Sequence, residues 1–458
     1  MLQTIRKAWG VPDLRRKILV VLFILLLYRI GAVIPVPYVD ATNFNSNFGN
    51  TIFSYLSTLS GGALEQATLF ALGISPYITA SIVLQLLTVA FPKLGEIAKQ
   101  GEEGKQFINK WTRIVTVILS VVTAIGYYIL LAKNNMLVAE AVWGEGQSWT
   151  WILYASVIVV CFCAGAALVM WLAEKINENG LANGISLILF FNIIHSLPST
   201  LIMLGSLIGA GFGTSVWKGF GAIGLTLIVV LGLLAITFFI VFVTGSERRI
   251  PVQYAKRVVG RKMYGGQSTN LPLQLNMSGV MPVIFASSIV SLPTTILVLC
   301  GVTGEGTGFW NWLYRVFDAN GWVYPIILFV LIIAFAYFYI TISFNPVEVA
   351  NNLKKNGGMI PGIRQGRPTA EYIKKILSKI TLMGALFLSV IAILPIVVRP
   401  LVITPILTAI SDASTAASLA QSFTFGGTSI LIVVGIALET ARELEAQLTM
   451  RNYKGFLS

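Results

Sequence analysis

Apolar runs of about twenty residues, long enough to cross the hydrocarbon core of a bilayer as a helix, recur along the chain at 18–34, 112–132, 151–172, 185–204, 222–243, 279–300, 323–343, 380–398 and 426–438. Polar positions gather in the stretches between them. The pattern predicts a polytopic helical membrane protein. Composition agrees, because 56% hydrophobic against 11% charged residues would leave a soluble chain with more apolar surface than it could cover.

The stretch 60–91 departs from that simple pattern. Gly61 and Gly62 open a short run, GGALEQATLFALG, too small and polar to span. Gly73 can take the positive φ that ends a helix and Pro76 suits the first turn of the next, so Ile74 and Ser75 read as a break. A helix over 76–91 rises about 24 Å, short of a core about 30 Å thick. A half-helix over 60–73 is therefore expected to re-enter from outside, which requires an aqueous vestibule there; the alternative is an ordinary kinked helix. Counting 61–90, the spans number ten, five on each side of an outer connection at 205–221. An odd number per half inverts the second half relative to the first. The expected organisation is an N-terminal half over 1–204 and a C-terminal half over 222–458, the latter with long loops at 245–278 and 344–379.

Charge orients the spans. The chain carries 32 Lys and Arg and a net charge of +13. These residues collect at the N-terminus, in 91–113, at Lys175, in the two long loops and at the C-terminus. The other side keeps only Lys133, Lys218, Arg315 and Arg399, with Arg29 near the outer end of the first span. Since Lys and Arg of short loops stay inside, both termini are expected to be cytoplasmic. Trp111 and Trp171 mark inner span ends, and Trp149, Trp151 and Trp322 outer ones. Arg15, Arg16 and Lys17 precede the first span as in a secretory leader, yet the span is long and no small-residue cleavage pattern follows, so it is expected to be retained. Cys161, Cys163 and Cys300 are too few for a disulfide framework and read as buried packing thiols.

Candidate chemistry is scarce. The one histidine, His195, sits on an apolar helix with no second ligand nearby and reads as structural. There is no phosphate-cradling loop, no Cys/His cluster and no Ser/His/Asp set, so neither an enzyme nor a cofactor or metal site is expected. The rival to a pore is a secondary transporter of a small solute, which shares broken helices and inverted halves. Ion or proton coupling, however, calls for carboxylates near the midplane. Glu65 belongs to the outer half-helix and Glu439 to the cytoplasmic end of the last span. An uncoupled pore driven from its basic face fits better.

Six strings carry a resemblance over essentially the whole chain: SGGALEQATLFALGISPYI (60–78), NGISLILF (183–190), RRIPVQYAKR (248–257), NMSGVMPVIFASSI (276–289), FNPVEVANNLKKNGGMIPGIR (344–364) and FGGTSILIVV (425–434). The chain resembles the SecY family, the channel subunits of the bacterial general secretion translocon. The resemblance implies an all-α fold of ten transmembrane helices in two inverted five-helix halves, with an hourglass pore in the cytoplasmic membrane. A re-entrant plug would comprise Gly61, Gly62, Ala63, Leu64, Glu65, Gln66, Ala67, Thr68, Leu69 and Phe70. A waist ring would comprise Ile74, Ile78, Ile185, Leu189, Ile284 and Ile432; the spacing of 74/78 and 185/189 puts each pair on one helix face, although aliphatic residues fill every span and could equally be packing. Signal peptides would exit between the second and seventh spans, where Gln85 and Asn276 would face each other, unless both amides bond to neighbouring helices.

The resemblance also implies partners: nascent polypeptides, the small membrane subunits SecE and SecG, and docking of the ribosome or the SecA ATPase on the basic loops. The matching docking positions are Arg248, Arg249, Lys256, Arg257, Arg261, Lys262 and Arg364. Charge alone would equally suit RNA, an acidic protein or anionic membrane lipids. Gln365 stands where the family often has proline, and the outer stretch 399–421 is longer than in many relatives.

Overall fold

The computed structural model of the chain describes residues 2–40, 57, 60–98, 100–133, 136–138, 149–180, 183–214, 216–254, 257–259, 262–264, 268–299, 302, 308–318, 321–405 and 426–454. In chain order the helices are α1 (Leu2–Trp9), α2 (Pro12–Gly31), α3 (Ser75–Ala90), α4 (Pro92–Ala98), α5 (Glu102–Lys133), α6 (Thr150–Asn179), α7 (Gly184–Thr214), α8 (Val216–Thr244), α9 (Met281–Leu299), α10 (Phe309–Phe317), α11 (Val323–Ser343), α12 (Pro346–Lys355), α13 (Arg367–Val398) and α14 (Gly426–Lys454). Each of the ten expected spans meets a helix of at least 16 residues, the shortest being α3. Among the described residues five helical stretches, built on α5, α6, α8, α11 and α13, are long and apolar enough to cross a membrane unaided. A sixth span is possible by the same measure if α3 and α4, bent by 110° at Phe91, count as one.

The break before α3 follows its sequence cause. Gly73 has φ +54, Ile74 is the N-cap residue, and Pro76 lies in the first turn, where its missing N–H leaves no bond unmade. Ahead of it the expected half-helix takes another form. Ser57 and Ser60 are helical, and 61–74 is a succession of turns. Positive φ at Gly61, Gly62, Ala67 and Gly73 cannot be accommodated in a right-handed helix; the segment closes turns on itself, with the Ala67 N–H donating to Leu64, Thr68 to Ala63, Ala71 to Thr68 and Gly73 to Phe70, and adds bonds to the stretch after α2. The Leu69 N–H donates to the Ile34 carbonyl at 2.9 Å and the Val36 N–H to the Ala67 carbonyl at 3.2 Å.

The connection expected at 205–221 is largely helical: α7 and α8 run into it on either side of residue 215, with no proline to interrupt them. Phe212 and Phe220 meet edge to face at 6.0 Å where the two helices turn back on each other.

A second departure is a sheet absent from the helical expectation. Strands β1 (Glu247–Tyr254), β2 (Arg257–Val259), β3 (Lys262–Tyr264), β4 (Ser268–Gln274) and β5 (Gly358–Met359) form a three-stranded sheet in the order β4-β1-β5 and a β2-β3 ribbon. β1 runs antiparallel to β4 with Ile250 opposite Leu271, and Gln253 and Tyr254 pair with Met359 and Gly358. Both long basic loops thus share one sheet. Its buried face, with Ile250, Val252 and Leu273, packs with Ile340, Ile373 and Leu377 at the ends of α11 and α13.

The main core is a single apolar cluster drawing on α2, α3, α6, α7, α9, α11, α13 and α14. A second joins α5 and α6 with the segment around Leu64 and Ala71. Cys161 and Cys163 are free thiols at the edge of this second cluster and half-buried, not buried as expected, because they sit on the outward side of α6. Cys300 lies outside the described residues. Of the expected interfacial tryptophans, Trp111, Trp149, Trp171 and Trp322 are exposed on the helix bundle, as belt residues are, whereas Trp151 is half-buried.

Candidate functional site

Four helices and the break before α3 bring the six expected ring residues into the main core. Ile74 and Ile78 come from the start of α3, Ile185 and Leu189 from α7, Ile284 from α9 and Ile432 from α14; all belong to the one cluster, and all but Ile185 are buried. Their buried neighbours in it include the aliphatic Ile82, Ile188, Ile193, Val283 and Leu431 and the aromatic Tyr28, Phe70 and Phe285. The six ring side chains themselves offer an ion or a polar solute nothing to coordinate.

Segment 61–74 lies against this cluster. Ala63, Leu64, Ala67 and Phe70 are buried, whereas Glu65 is half-exposed and Gln66 exposed. Its seat is built from three helices. On α2, Tyr28 stacks on Phe70 with ring centroids 5.5 Å apart, and the Arg29 guanidinium donates to the Gly61 carbonyl at 3.1 Å. On α5, the Tyr127 hydroxyl donates to the Leu64 carbonyl at 2.6 Å. On α6, Gly165 lets the Leu69 carbonyl approach so closely that a Cβ there would lie 1.8 Å from its oxygen. A bridge between Pro35 and Thr68 completes the attachment. Sequence reasoning named the segment and missed its seat, since Tyr28, Arg29, Tyr127 and Gly165 carry no local signal of what they touch.

The seam between α3 and α9 forms as expected, as the two helices pack together. Gln85 and Asn276, expected to face each other there, each bond within their own segment. Gln85 donates to Ser81 at 3.2 Å on its own helix, and Asn276 accepts from Ser278 at 3.3 Å. Asn276 lies in the turn before α9 starts and lines a cavity of about 330 Å³ with Gln274, Tyr339, Glu439 and Arg442. The polar groups actually at the seam are hydroxyls: Ser75 and Thr79 on α3, Thr123 on α5, and Ser288, Ser291 and Thr295 on α9 line a pocket together with Leu64 and Leu292. Thr79, Thr123, Ser291 and Thr295 each donate to a carbonyl of their own helix. Back-bonding of this kind leaves these hydroxyls satisfied without a bond from one helix to the next, so parting the helices costs packing alone at these positions.

On the basic face, Arg248 and Arg249 are exposed on β1, Arg249 lying 3.8 Å from Glu247. Arg257 and Lys262 fall in β2 and β3, and Lys256 and Arg261 lie outside the described residues. Arg364 is exposed at the tip of the second loop. Gln365 donates to the Gly358 carbonyl at 3.2 Å, tying that tip to β5. Beneath the sheet, Arg442 of α14 donates to the Gln274 side chain at 2.8 Å and to the Thr244 carbonyl at 2.6 Å. One guanidinium thereby holds both ends of the first loop against the last helix. Among the described residues no group of three metal-ligating side chains occurs.

Comparison with known proteins gives one family. The profile of the SecY family matches residues 68–441. The chain is 42% identical over 463 residues to the protein translocase subunit SecY of Streptomyces coelicolor, with 100% of both chains covered. It is 41% identical over 461 residues to that of Mycobacterium tuberculosis, with 97% of each covered. Among solved structures, a protein-conducting channel superposes with a TM-score of 0.54 at 16% identity, over 93% of this chain and 91% of that one. A SecY channel described as held closed and sealed by its plug domain gives 0.57 at 17% identity, covering 93% and 90%. Sec61 in a canine ribosome–channel complex gives 0.51 at 17%, covering 93% and 91%.

Proposed function

Because the chain belongs to the SecY family, we propose that its aliphatic cluster is the waist of a protein-conducting pore and that 61–70 is the plug above it. The chain is a multi-pass membrane protein and a translocation channel of the protein translocase. The finer assignments are our reading of its residues: Ile74, Ile78, Ile185, Leu189, Ile284 and Ile432 close the waist, the α3–α9 seam is the lateral exit for signal peptides and hydrophobic segments, and the halves 1–204 and 222–458 part around it. The sheet carrying Arg248 and Arg249, with Arg364 at the neighbouring tip, is the docking face for the ribosome or the SecA ATPase. SecE and SecG accompany the chain, anionic lipids meet its remaining basic residues, and both termini lie in the cytoplasm of a bacterial cell.

The observation that carries this reading is the meeting of six aliphatic side chains from four distant helices in one cluster under a buried, separately seated segment. An aliphatic waist closes by dewetting and still yields to chemically diverse peptide segments. A carrier would hold its solute with several polar groups at the midplane; beside the ring on α7 the buried polar side chains are Ser186 and Asn192, and Asn192 donates to the Tyr28 hydroxyl.

The test changes Ile78 and Ile432 together to Asn. At a waist, the amides wet the constriction, so small ions leak and precursors with defective signal sequences are transported. Between packed helices the same change lowers yield and stability with no leak. A folded, ion-tight and signal-strict double variant would remove both residues from the gate.

A further inference from the structure

Arg29 holds a full charge on a membrane-spanning helix, a placement that is costly unless the charge is paired or hydrated. Its donors reach two acceptors: the Gly61 carbonyl, at 3.1 Å, and the imidazole Nε2 of His195 on α7. Gly61 is the root of the proposed plug. Directly beneath it, Asn192, one turn before His195, donates to the Tyr28 hydroxyl at 2.8 Å, and a Cβ on Gly61 would come within 2.9 Å of the Asn192 amide oxygen. One cation thus fastens the root of the plug to α2 and α7 at once.

We propose that Arg29 is the positioning residue of the plug, and that neutral His195 is the acceptor that keeps its guanidinium on the Gly61 carbonyl. The inference rests on reading 61–70 as the plug. An imidazole accepts only through an unprotonated ring nitrogen. A proton on His195 removes that acceptor and sets two cations against each other, which drives Arg29 off the plug root.

The charged group acting on His195 is Arg29. The helices packed on α7 are α6, α8 and α14, and their charges lie elsewhere along them. Glu174, Lys175 and Glu178 fall in the last two turns of α6, Lys218 in the first turn of α8, and Glu439, Arg442, Glu443 and Glu445 in the second half of α14. On α2, Asp13, Arg15, Arg16 and Lys17 occupy the far end. Glu65 of the plug lies within electrostatic reach of Tyr127.

The experiment records ion conductance of the full chain, purified with its accompanying subunits, in planar bilayers at about pH 8 and about pH 5.5, on either side of the ordinary imidazole range. The wild type should be closed at the higher pH and open up to about tenfold more often at the lower, the ceiling set by protonating one ordinary imidazole about one pH unit below its usual midpoint. His195→Gln, whose amide oxygen accepts at either pH, should stay closed at both. Arg29→Met should leak at both, as should the reference deletion of residues 63–70. A leaking deletion beside a folded, tight Arg29→Met overturns the latch and leaves the plug standing. So does a wild-type pH response that is absent, or that persists in His195→Gln. A deletion that does not leak overturns the plug reading, and the latch with it.

Discussion

Replacing Gly165 by Ala should unseat the plug without touching it. The added Cβ would lie 1.8 Å from the Leu69 carbonyl oxygen, whereas ordinary contact begins at 3.4 Å. Helix α6 is held by α5 and α7 on either side and cannot retreat, so the turn containing Leu69 must. That turn is fixed by a 2.9 Å bond from the Leu69 N–H to Ile34 and by the Pro35–Thr68 bridge, and a shift of this size breaks the bond. Overpacking costs about 1–3 kcal/mol and a lost hydrogen bond about 1 kcal/mol. At 1.4 kcal/mol per factor of ten, the closed state weakens about thirty- to several-hundredfold relative to the open one. The assay is single-channel conductance of the resting channel, with thermal unfolding recorded in parallel. Gly209→Ala, at a site on α7 with open space around it, supplies the matched control. If Gly165→Ala folds and stays as tight as Gly209→Ala, the plug is not held by its contact with α6.

Two further outcomes follow from the basic face. Arg364→Glu should cripple transport of a secreted precursor while leaving the unfolding temperature unchanged, because the side chain is exposed at a loop tip; normal transport would end its docking role. Arg442→Met removes two hydrogen bonds from a charged donor, each worth about 1.5–3 kcal/mol, and should lower both thermal stability and transport while the motor still binds. Transport at the wild-type rate would show that Arg442 braces the structure without relaying docking to the helices.

The spans and the break at Gly73 were legible because both rest on local rules: the length that crosses a bilayer, and the backbone freedom of one glycine followed by one proline. The ring was legible only through resemblance, since Ile78 and Ile432 look like any other aliphatic residue in a span. The plug was misread as helix because ALEQATLFAL is built of good helix formers. Its turned form is imposed by Ile34, Tyr127 and Gly165, none of which its own sequence reveals. The sheet stayed hidden for a similar reason, since β5 is two residues long and acquires its identity only by meeting β1 about a hundred positions earlier.

That pairing also sets an order of construction. When β1 and β4 leave the ribosome they can form a hairpin at once, but the edge of β1 that receives Gly358 and Met359 stays open until α9, α10, α11 and α12 have been made and threaded. An open edge invites pairing with other chains, so the half-built protein exposes an unpaired strand edge to whatever chains lie nearby. Synthesis of the second loop ends that exposure, and a chain halted before residue 358 would keep it, marked for aggregation or removal by the feature that completes the finished protein.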